Sequence, residues 1–428
     1  MLSAVPTASP VAPPVSSSAA SSAIDVASRP SQQGLSIAIL AIAAFVIVTT
    51  EFMIIGLLPA VARDLNISIS TAGLLVTLFA FTVMLFGPVL TVFLSHFERK
   101  RLFIVLMLVF AISNALAASG TNIWILALAR FIAALALPVF WGTASETAGQ
   151  IVGPERAGRA VSQVYFGISA ALLFGIPLGT LAADAVGWRG TFWGLTVSCL
   201  LMAVLLAIFM PTVARPQRVK IAEQTQILKD PNFLANVALS IVVFTAMFTS
   251  YTYLADTLER VAGVPTSQVG WWLMGFGTMG MMGNWIGGYV VDRNPLGATL
   301  VFTLLLAIGM AGSVPLAGSY GWFGLDLLIW GIAYTALFPI CQVRVMKAAS
   351  NAQALAGTIN VSAANAGIGV GAIIGGFGIE RFGIGSVGYV ASGIAVVAVV
   401  MVLVMQKKVA GKLATNCINK GGLSALES

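Results

Sequence analysis

Long apolar runs recur along the whole chain, and they constrain its fold more than any other feature. A helix needs roughly 20 apolar residues to cross the hydrocarbon core of a bilayer. Twelve runs of about that length are predicted, at residues 35–59, 71–94, 102–119, 123–146, 160–183, 190–210, 234–255, 268–291, 297–317, 322–343, 357–378 and 386–405. Because lipid offers no partners for backbone polar groups, such runs form helices. The sequence therefore predicts an all-α polytopic membrane protein with twelve transmembrane helices.

The composition supports this class and excludes several others. Charged residues make up 9% of the 428 residues and hydrophobic residues 58%, whereas an ordinary soluble protein has roughly 25% charged residues. A single histidine and three cysteines without CxxC spacing support neither a metal site nor a disulfide framework. The chain has no GxxxxGK[ST] phosphate loop. We therefore expect no cofactor, no enzymatic centre and no ATP hydrolysis within this chain. If the protein does work across the membrane, an ion gradient is the remaining source of energy.

The distribution of basic residues predicts the orientation. Seventeen of the 22 Lys and Arg residues fall on the side that holds both termini, four fall on the other side, and Arg130 lies inside an apolar run. Under the positive-inside rule, both termini are cytoplasmic. The net charge of +7 thus arises from short loops beside the bilayer, which argues against a nucleic-acid partner.

A charged polar break in the middle of the chain divides it into two similar halves. The predicted regions are a disordered cytoplasmic tail at 1–33, a six-helix bundle at 34–211, a cytoplasmic linker at 212–232, a second six-helix bundle at 233–406 and a cytoplasmic tail at 407–428. A shift of 197 positions places Arg63 on Arg260 and Ser70 on Ser267. Two parallel repeats of six helices with a binding site between them are typical of secondary transporters.

Two charges inside apolar runs are the main candidates for function. Glu51 in the first run and Arg130 in the fourth are predicted at similar depth, from a rise of about 1.5 Å per residue. Intramembrane charges are costly and mark proton or ion pathways by default. Burial favours the neutral form of a carboxyl group and a nearby cation favours the charged form, so conformation can switch its protonation. We hypothesise that Glu51 is a proton-coupling site modulated by Arg130; the alternative is a purely structural pair.

Aromatic and polar side chains in several spans are candidates for binding a planar or amphiphilic solute. The predicted substrate-binding residues are Phe140, Trp141, Tyr251, Tyr334 and Asn365, with Tyr253, Trp330 and Asn360 as further candidates. The alternative for each of them is ordinary packing between helices. Asp326, Glu146 and Asp256 lie near span ends, where structural carboxylates are common.

Several motifs together carry a family resemblance. They are Thr50-Glu51-Phe52, Gly56-Leu57-Leu58-Pro59, Gly87-Pro88, Glu98-Arg99-Lys100-Arg101, Arg130, Gly175-Ile176-Pro177-Leu178-Gly179 and Gly187-Trp188-Arg189. The chain resembles a major facilitator superfamily transporter over about residues 35–405, within it the bacterial drug:proton antiporter-1 group, which contains arabinose and purine-nucleoside efflux permeases. The family's loop after helix 2 contributes gating charges, and the matching residues here are Arg99 and Lys100, with Asp292 and Arg293 in the second half. Thr91, Ser95, His96 and Glu98 depart from that loop pattern.

The resemblance implies a monomeric transporter in the bacterial inner membrane. It would export a small organic solute, such as a sugar, a nucleoside or purine, or a drug, in exchange for protons by alternating access. The alternatives are a proton-coupled importer, a uniporter or a non-transporting membrane sensor on the same fold.

Overall fold

The computed structural model describes residues 30–94, 97–152, 157–211, 227–349 and 353–424. Within that part almost every residue is helical and no strand is present. The helices are α1 (Pro30–Asp64), α2 (Ile69–Leu94), α3 (Arg99–Ala118), α4 (Ile123–Val152), α5 (Ala157–Ala170), α6 (Ile176–Phe209), α7 (Pro231–Tyr251), α8 (Leu254–Arg260), α9 (Thr266–Val290), α10 (Pro295–Gly312), α11 (Tyr320–Lys347), α12 (Gln353–Phe382) and α13 (Ser386–Ser424). A π-helical segment, Ala171–Gly175, joins α5 to α6.

Ten helical segments in the described part are long and apolar enough to cross a membrane. One of them, Phe166–Phe209, has 44 residues, which at about 1.5 Å per residue is twice the thickness of a hydrocarbon core of about 30 Å. It is interrupted at Gly187, where φ is 74° and ψ is 160°, a conformation that glycine adopts without a steric cost. The glycine-rich α9 has 25 residues. With that segment counted twice and α9 added, the architecture is consistent with the predicted twelve crossings.

The helix ends differ from the predicted region boundaries in three places. α1 begins at Pro30, α7 begins at Pro231 and α13 continues to Ser424. The extension of α13 beyond the predicted span end follows from a sequence without proline after the apolar run. Most of the predicted N-terminal tail and most of the predicted linker lie outside the described residues.

Two helices of the second half begin with well-formed caps. The Asp230 side chain accepts a hydrogen bond from the backbone N–H of Asn232 at 2.9 Å, and Pro231 occupies the first helical turn. Asn294 caps α10 in the same way, accepting from the Gly297 N–H at 2.9 Å. Such caps satisfy N–H groups that have no partner inside the helix.

The helices form two halves, α1–α6 and α7–α13, that pack directly against each other. One apolar core lies wholly in the first half, and a larger one runs across both. Glycines allow the closest approaches between the halves. A Cβ on Gly277 of α9 would lie 2.7 Å from the Leu172 carbonyl oxygen, and one on Gly73 of α2 would collide with the Tyr253 hydroxyl. Small residues at these positions let backbones of opposite halves touch.

The two faces of the bundle are named here by the chain ends. The termini side is where α1 begins and α13 ends. The distal side carries the connections after α1, α3, α8, α10 and α12, at residues 65–68, 119–122, 261–265, 313–319 and 383–385.

Candidate functional site

Glu51 lies in the middle of α1 and is 8% exposed. The preceding hydroxyls turn back onto the helix, Thr49 donating to the Phe45 carbonyl at 2.7 Å and Thr50 to the Val46 carbonyl at 3.0 Å. Among the described residues, no hydrogen bond or ion pair is formed by the Glu51 carboxyl group. A buried ionised carboxylate without a partner is costly, which makes Glu51 an exceptional residue for this position.

Arg130 of α4 reaches the same turn of α1. Its Nη1 donates to the Thr50 carbonyl oxygen at 2.8 Å and its Nη2 to the Glu51 carbonyl oxygen at 2.7 Å. The guanidinium also lies 4.1 Å from the centre of the Phe79 ring, a cation–π distance. The structure thus brings Glu51 and Arg130 together, but the direct contact is with the main chain of α1. Helix carbonyls can accept a second hydrogen bond. The two carbonyls of α1 thus hold the guanidinium beside the Glu51 carboxyl group without an ion pair.

Asn114 of α3 is a buried polar residue of this site that the sequence analysis missed. Its Nδ2 donates to the Thr50 hydroxyl at 3.2 Å and contacts the Cys199 sulfur at 3.7 Å. Its Oδ1 is buried without a hydrogen-bond partner in the described part of the chain. A lone asparagine inside an apolar run was the available signal, since such residues usually mark contacts between helices.

Tyr251 of α7 and Tyr334 of α11, both predicted to bind substrate, are in direct contact. Their ring centres are 4.4 Å apart, and both rings pack against Phe276 at 5.6 and 5.7 Å. Tyr334 is fully buried, and its hydroxyl has no hydrogen-bond partner among the described residues. Phe248 packs against Tyr334 with ring centres 5.8 Å apart and against Phe52 at 6.0 Å, so the aromatic cluster of the second half reaches the turn of α1 that carries Glu51.

A cavity of about 310 Å³ adjoins this aromatic cluster and lies between the halves. Phe338 connects the two, because it lines the cavity and packs against Tyr334 with ring centres 5.6 Å apart. The lining residues are Ile168, Ser169, Leu172, Gly277, Gly280, Met281, Asn284, Thr335, Phe338, Pro339, Gln342, Val343 and Val361. None of them is charged. The cavity therefore suits a neutral solute or the uncharged part of a larger one.

The other predicted substrate-binding residues lie elsewhere. Phe140 is fully buried between Phe103, at 5.6 Å, and Trp141, at 5.4 Å between ring centres. Neither Phe140 nor the half-buried Trp141 lines the cavity. Asn365 of α12 donates to the Val361 carbonyl at 3.0 Å, and its Oδ1 is buried without a partner in the described part. Asn365 is thus one turn from the cavity-lining Val361.

The predicted gating residues lie on the termini side, and the structure gives contacts within one half for three of them. Arg99 is buried and pairs with Glu146 at 2.7 Å, and its neighbour Lys100 is half-buried. Asp292 pairs with Lys347 of the same half at 3.4 Å. Arg293 donates to the hydroxyl of Tyr289 at 2.9 Å. The two ion pairs therefore join helices inside one half, and the Arg293 contact stays at the end of α9.

Two polar contacts between the halves, on the distal side, were not anticipated from the sequence. Arg63 pairs with Glu259, and Ser70 donates to Glu380, each at 2.5 Å. The two carboxylates come from α8 and α12, which are far from α1 and α2 in the chain, so only the tertiary fold brings them together.

Comparison with known proteins places the chain in a family. The model of the Major Facilitator Superfamily matches residues 40–362. The inner membrane transport protein YdhP of Escherichia coli (strain K12) is 32% identical over 367 residues, which cover 85% of this chain and 94% of YdhP. A probable sugar efflux transporter of Mannheimia succiniciproducens is 27% identical, covering 90% of this chain and 96% of the relative.

Solved structures show the same fold. A bacterial homologue of the human lysosomal transporter Spinster, crystallised in an inward-facing and unoccupied conformation, superposes with a TM-score of 0.75 at 15% identity, covering 88% of this chain and 97% of that one. A D-xylose–proton symporter superposes with a TM-score of 0.69 at 16% identity, covering 86% and 96%. Together with the family match, these likenesses show that the chain belongs to the Major Facilitator Superfamily of membrane transporters, which are carriers and not enzymes.

Proposed function

We propose that this transporter exports a small organic solute in exchange for inward-moving protons. The observation that carries the proposal is the position of Glu51, which is buried at midspan without a hydrogen-bond or ion-pair partner among the described residues. The next residue, Phe52, packs against Phe248 of the opposite half with ring centres 6.0 Å apart. The basic loops support a cytoplasmic termini side and an external distal side. The inner-membrane and efflux names of the relatives agree with export.

In the proposed cycle, Glu51 takes a proton from outside and releases it to the cytoplasm. Arg130, held on the Thr50 and Glu51 carbonyls, favours the charged form of the carboxyl group, whereas burial favours the neutral form. Movement of the two halves changes the balance between these effects. Solute binding and protonation then oppose each other, and linkage requires this opposition to be reciprocal.

The proposed solute site comprises the cavity and the adjoining aromatic cluster of Tyr251, Phe276 and Tyr334. Four lining residues offer polar groups: Ser169, Asn284, Thr335 and Gln342. Some of these are already engaged, since Thr335 donates to the Gly280 carbonyl at 2.5 Å and Gln342 accepts from Asn360 at 2.7 Å. A solute would be held mainly by aromatic and apolar contact, with few hydrogen bonds for orientation. Sugars, nucleosides or purines, and amphiphilic drugs are the classes to test.

The termini-side charges have a place in the same cycle. Arg99, Lys100, Asp292 and Arg293 lie at the end of the bundle where the cytoplasmic side must close. We infer that they contact the opposite half when that side is shut and return to their own half when it is open.

Replacing Tyr334 by Phe tests the solute site. We expect solute affinity to fall about 5- to 10-fold, since one hydrogen bond contributes about 1 kcal/mol. The melting temperature should not fall, because the Tyr334 hydroxyl has no protein partner in the described part. Tyr253→Phe is the matched control: it removes a hydrogen bond to the Ala372 carbonyl of 2.7 Å, so it should lower stability and leave affinity unchanged. Equal affinities of wild type and Tyr334→Phe would exclude the hydroxyl from the site.

Phe140→Ala should lower stability without changing solute affinity, which is the opposite of the result expected for Tyr334→Phe. Removing a fully buried aromatic ring from a well-packed core costs about 3–5 kcal/mol, so we expect a clear loss of thermal stability. Phe140 does not line the cavity, so the fraction that remains folded should bind solute with unchanged affinity. Thermal unfolding and ligand titration of the same preparation measure both quantities. A weakened affinity without a loss of stability would place Phe140 in the binding site.

The test of the function itself uses inside-out proteoliposomes with an acidic lumen. Arabinose, inosine and tetraphenylphosphonium serve as probes for sugars, nucleosides and cationic drugs. Antiport predicts that one probe accumulates in the lumen and that collapse of the pH gradient abolishes the accumulation. Accumulation only with an alkaline lumen would indicate symport, and equilibration without accumulation would indicate a uniporter.

A further inference from the structure

On the distal side, an ion pair and a hydrogen bond to a carboxylate join the two halves. Arg63, in the last turn of α1, pairs with Glu259 of α8 at 2.5 Å. The Glu259 side chain is 12% exposed, whereas that of Arg63 is 55% exposed. The carboxylate is therefore largely withdrawn from solvent and depends on its partner in the other half.

A second contact lies beside the first and uses different helices. The Ser70 hydroxyl, in the first turn of α2, donates to the Glu380 carboxylate in the last turn of α12 at 2.5 Å. A hydrogen bond to a charged acceptor is stronger than one between neutral groups. These four residues line one pocket of about 510 Å³, together with Asp256 and Arg260. All of the charges in this pocket thus belong to the ends of α1, α8 and α12.

The side chain of Tyr253, next to these contacts, is packed tightly between the two halves. Tyr253, 1% exposed, donates to the Ala372 carbonyl of its own half at 2.7 Å. Its ring and hydroxyl face Gly73 of α2 and Gly376 of α12, and a Cβ at either glycine would clash with the hydroxyl. The halves can therefore separate at the distal end only if the charged contacts above Tyr253 are broken.

The termini side is built differently. Its ion pairs in the described part, such as Arg99 with Glu146 and Lys347 with Asp292, stay within one half. A cross-half polar contact toward that side, from Asn284 to Ser169 at 3.3 Å, joins two neutral side chains. In the described part of the chain, the ion pair that joins the two halves therefore lies at the distal end.

We propose that Arg63–Glu259 and Ser70–Glu380 form a distal latch that stabilises the conformation closed on that side and must break for the distal side to open. This proposal concerns the equilibrium between conformations and depends on neither the solute nor proton coupling. Removing contacts made in only one conformation shifts the population toward the other by the free energy of those contacts.

The test is a distance measurement on the full chain in lipid. Spin labels are placed at Thr121→Cys and Gly318→Cys, exposed positions in distal loops of opposite halves, after replacement of the three native cysteines by alanine. Double electron–electron resonance gives the populations of short and long distances. We expect the open population to increase about fivefold in Arg63→Ala, the upper range for a pair with one exposed member. Adding Ser70→Ala should increase it further.

Two further variants make the result specific. Arg63→Glu should open the distal side, and the exchange Arg63→Glu with Glu259→Arg should restore the closed population. Asp64→Asn is the matched control, because it breaks an ion pair with Arg189 of 2.7 Å at the same end but within the first half; it should leave the populations unchanged. The latch is excluded if Arg63→Ala leaves the distances unchanged, if the exchange fails to restore closure, or if Asp64→Asn opens the distal side equally.

Discussion

Replacing Glu51 by Gln is expected to reduce gradient-driven solute accumulation about 100-fold or more. Glutamine keeps the size and neutral polarity of a protonated carboxyl group but cannot release a proton. The variant should bind solute more weakly, because it imitates the protonated state that solute binding opposes. At saturating solute it should still exchange labelled for unlabelled solute across the membrane, since that exchange needs no change in protonation. Coupling would be lost while the transport pathway remains.

The two activities are measured in the same proteoliposomes, with and without a pH gradient. Asp326→Asn is the matched control. Asp326 is another buried carboxylate, 4% exposed, with an oxygen lacking a hydrogen-bond partner in the described part, and it packs near Gly312 of α10 within the second half. It should keep normal accumulation. The reverse outcome, accumulation retained in Glu51→Gln and lost in Asp326→Asn, would move the proton site to α11.

Replacing Arg130 by Ala is expected to impair both stability and transport. The guanidinium joins α4 to α1 through two hydrogen bonds to carbonyls and covers the Phe79 ring. Loss of a buried charged group with such contacts costs about 3 kcal/mol, and we expect the melting temperature to fall by roughly 3–6 °C. Without the nearby cation the charged form of Glu51 is less favoured, so proton release should become difficult and accumulation should fall about 10- to 100-fold.

Arg130→Lys separates the two roles of this residue. Lysine keeps the positive charge but lacks the planar fork that reaches both carbonyls at once, so an intermediate stability is expected. Arg189→Ala, which removes a half-exposed arginine, is the control for non-specific effects. If Arg130→Lys were as stable and active as wild type, the double contact with the main chain would be unimportant.

Much of the architecture follows from hydrophobicity alone, because a bilayer permits few alternatives to helices of this length. The depth of Glu51 and Arg130 was also predictable, since the rise of a helix is fixed. The groups that accept the Arg130 hydrogen bonds could not be predicted. The rotation of α1 about its axis and the rotamers of both side chains depend on packing. For the same reason, Phe140 could not be assigned to a packed core rather than to a cavity.

The distal latch shows a second limit of sequence analysis. Arg63 and Ser70 were visible in the repeat, whereas the sequence analysis did not single out Glu259 or Glu380. Their pairing depends on how α8 and α12 lean against α1 and α2, which involves contacts separated by 196 and 310 positions. No local pattern encodes such contacts.

The most direct test of Glu51 as the coupling carboxyl group is proton release from purified protein in weakly buffered solution when solute is added. The arabinose, inosine and tetraphenylphosphonium panel is titrated into wild type and Glu51→Gln, with binding followed in parallel by tryptophan fluorescence. We predict that one solute class releases about one proton per wild-type molecule, whereas Glu51→Gln releases none when it is saturated with the same solute at the higher concentration that it needs. Binding without release from wild type, or equal release from both proteins, would contradict the account.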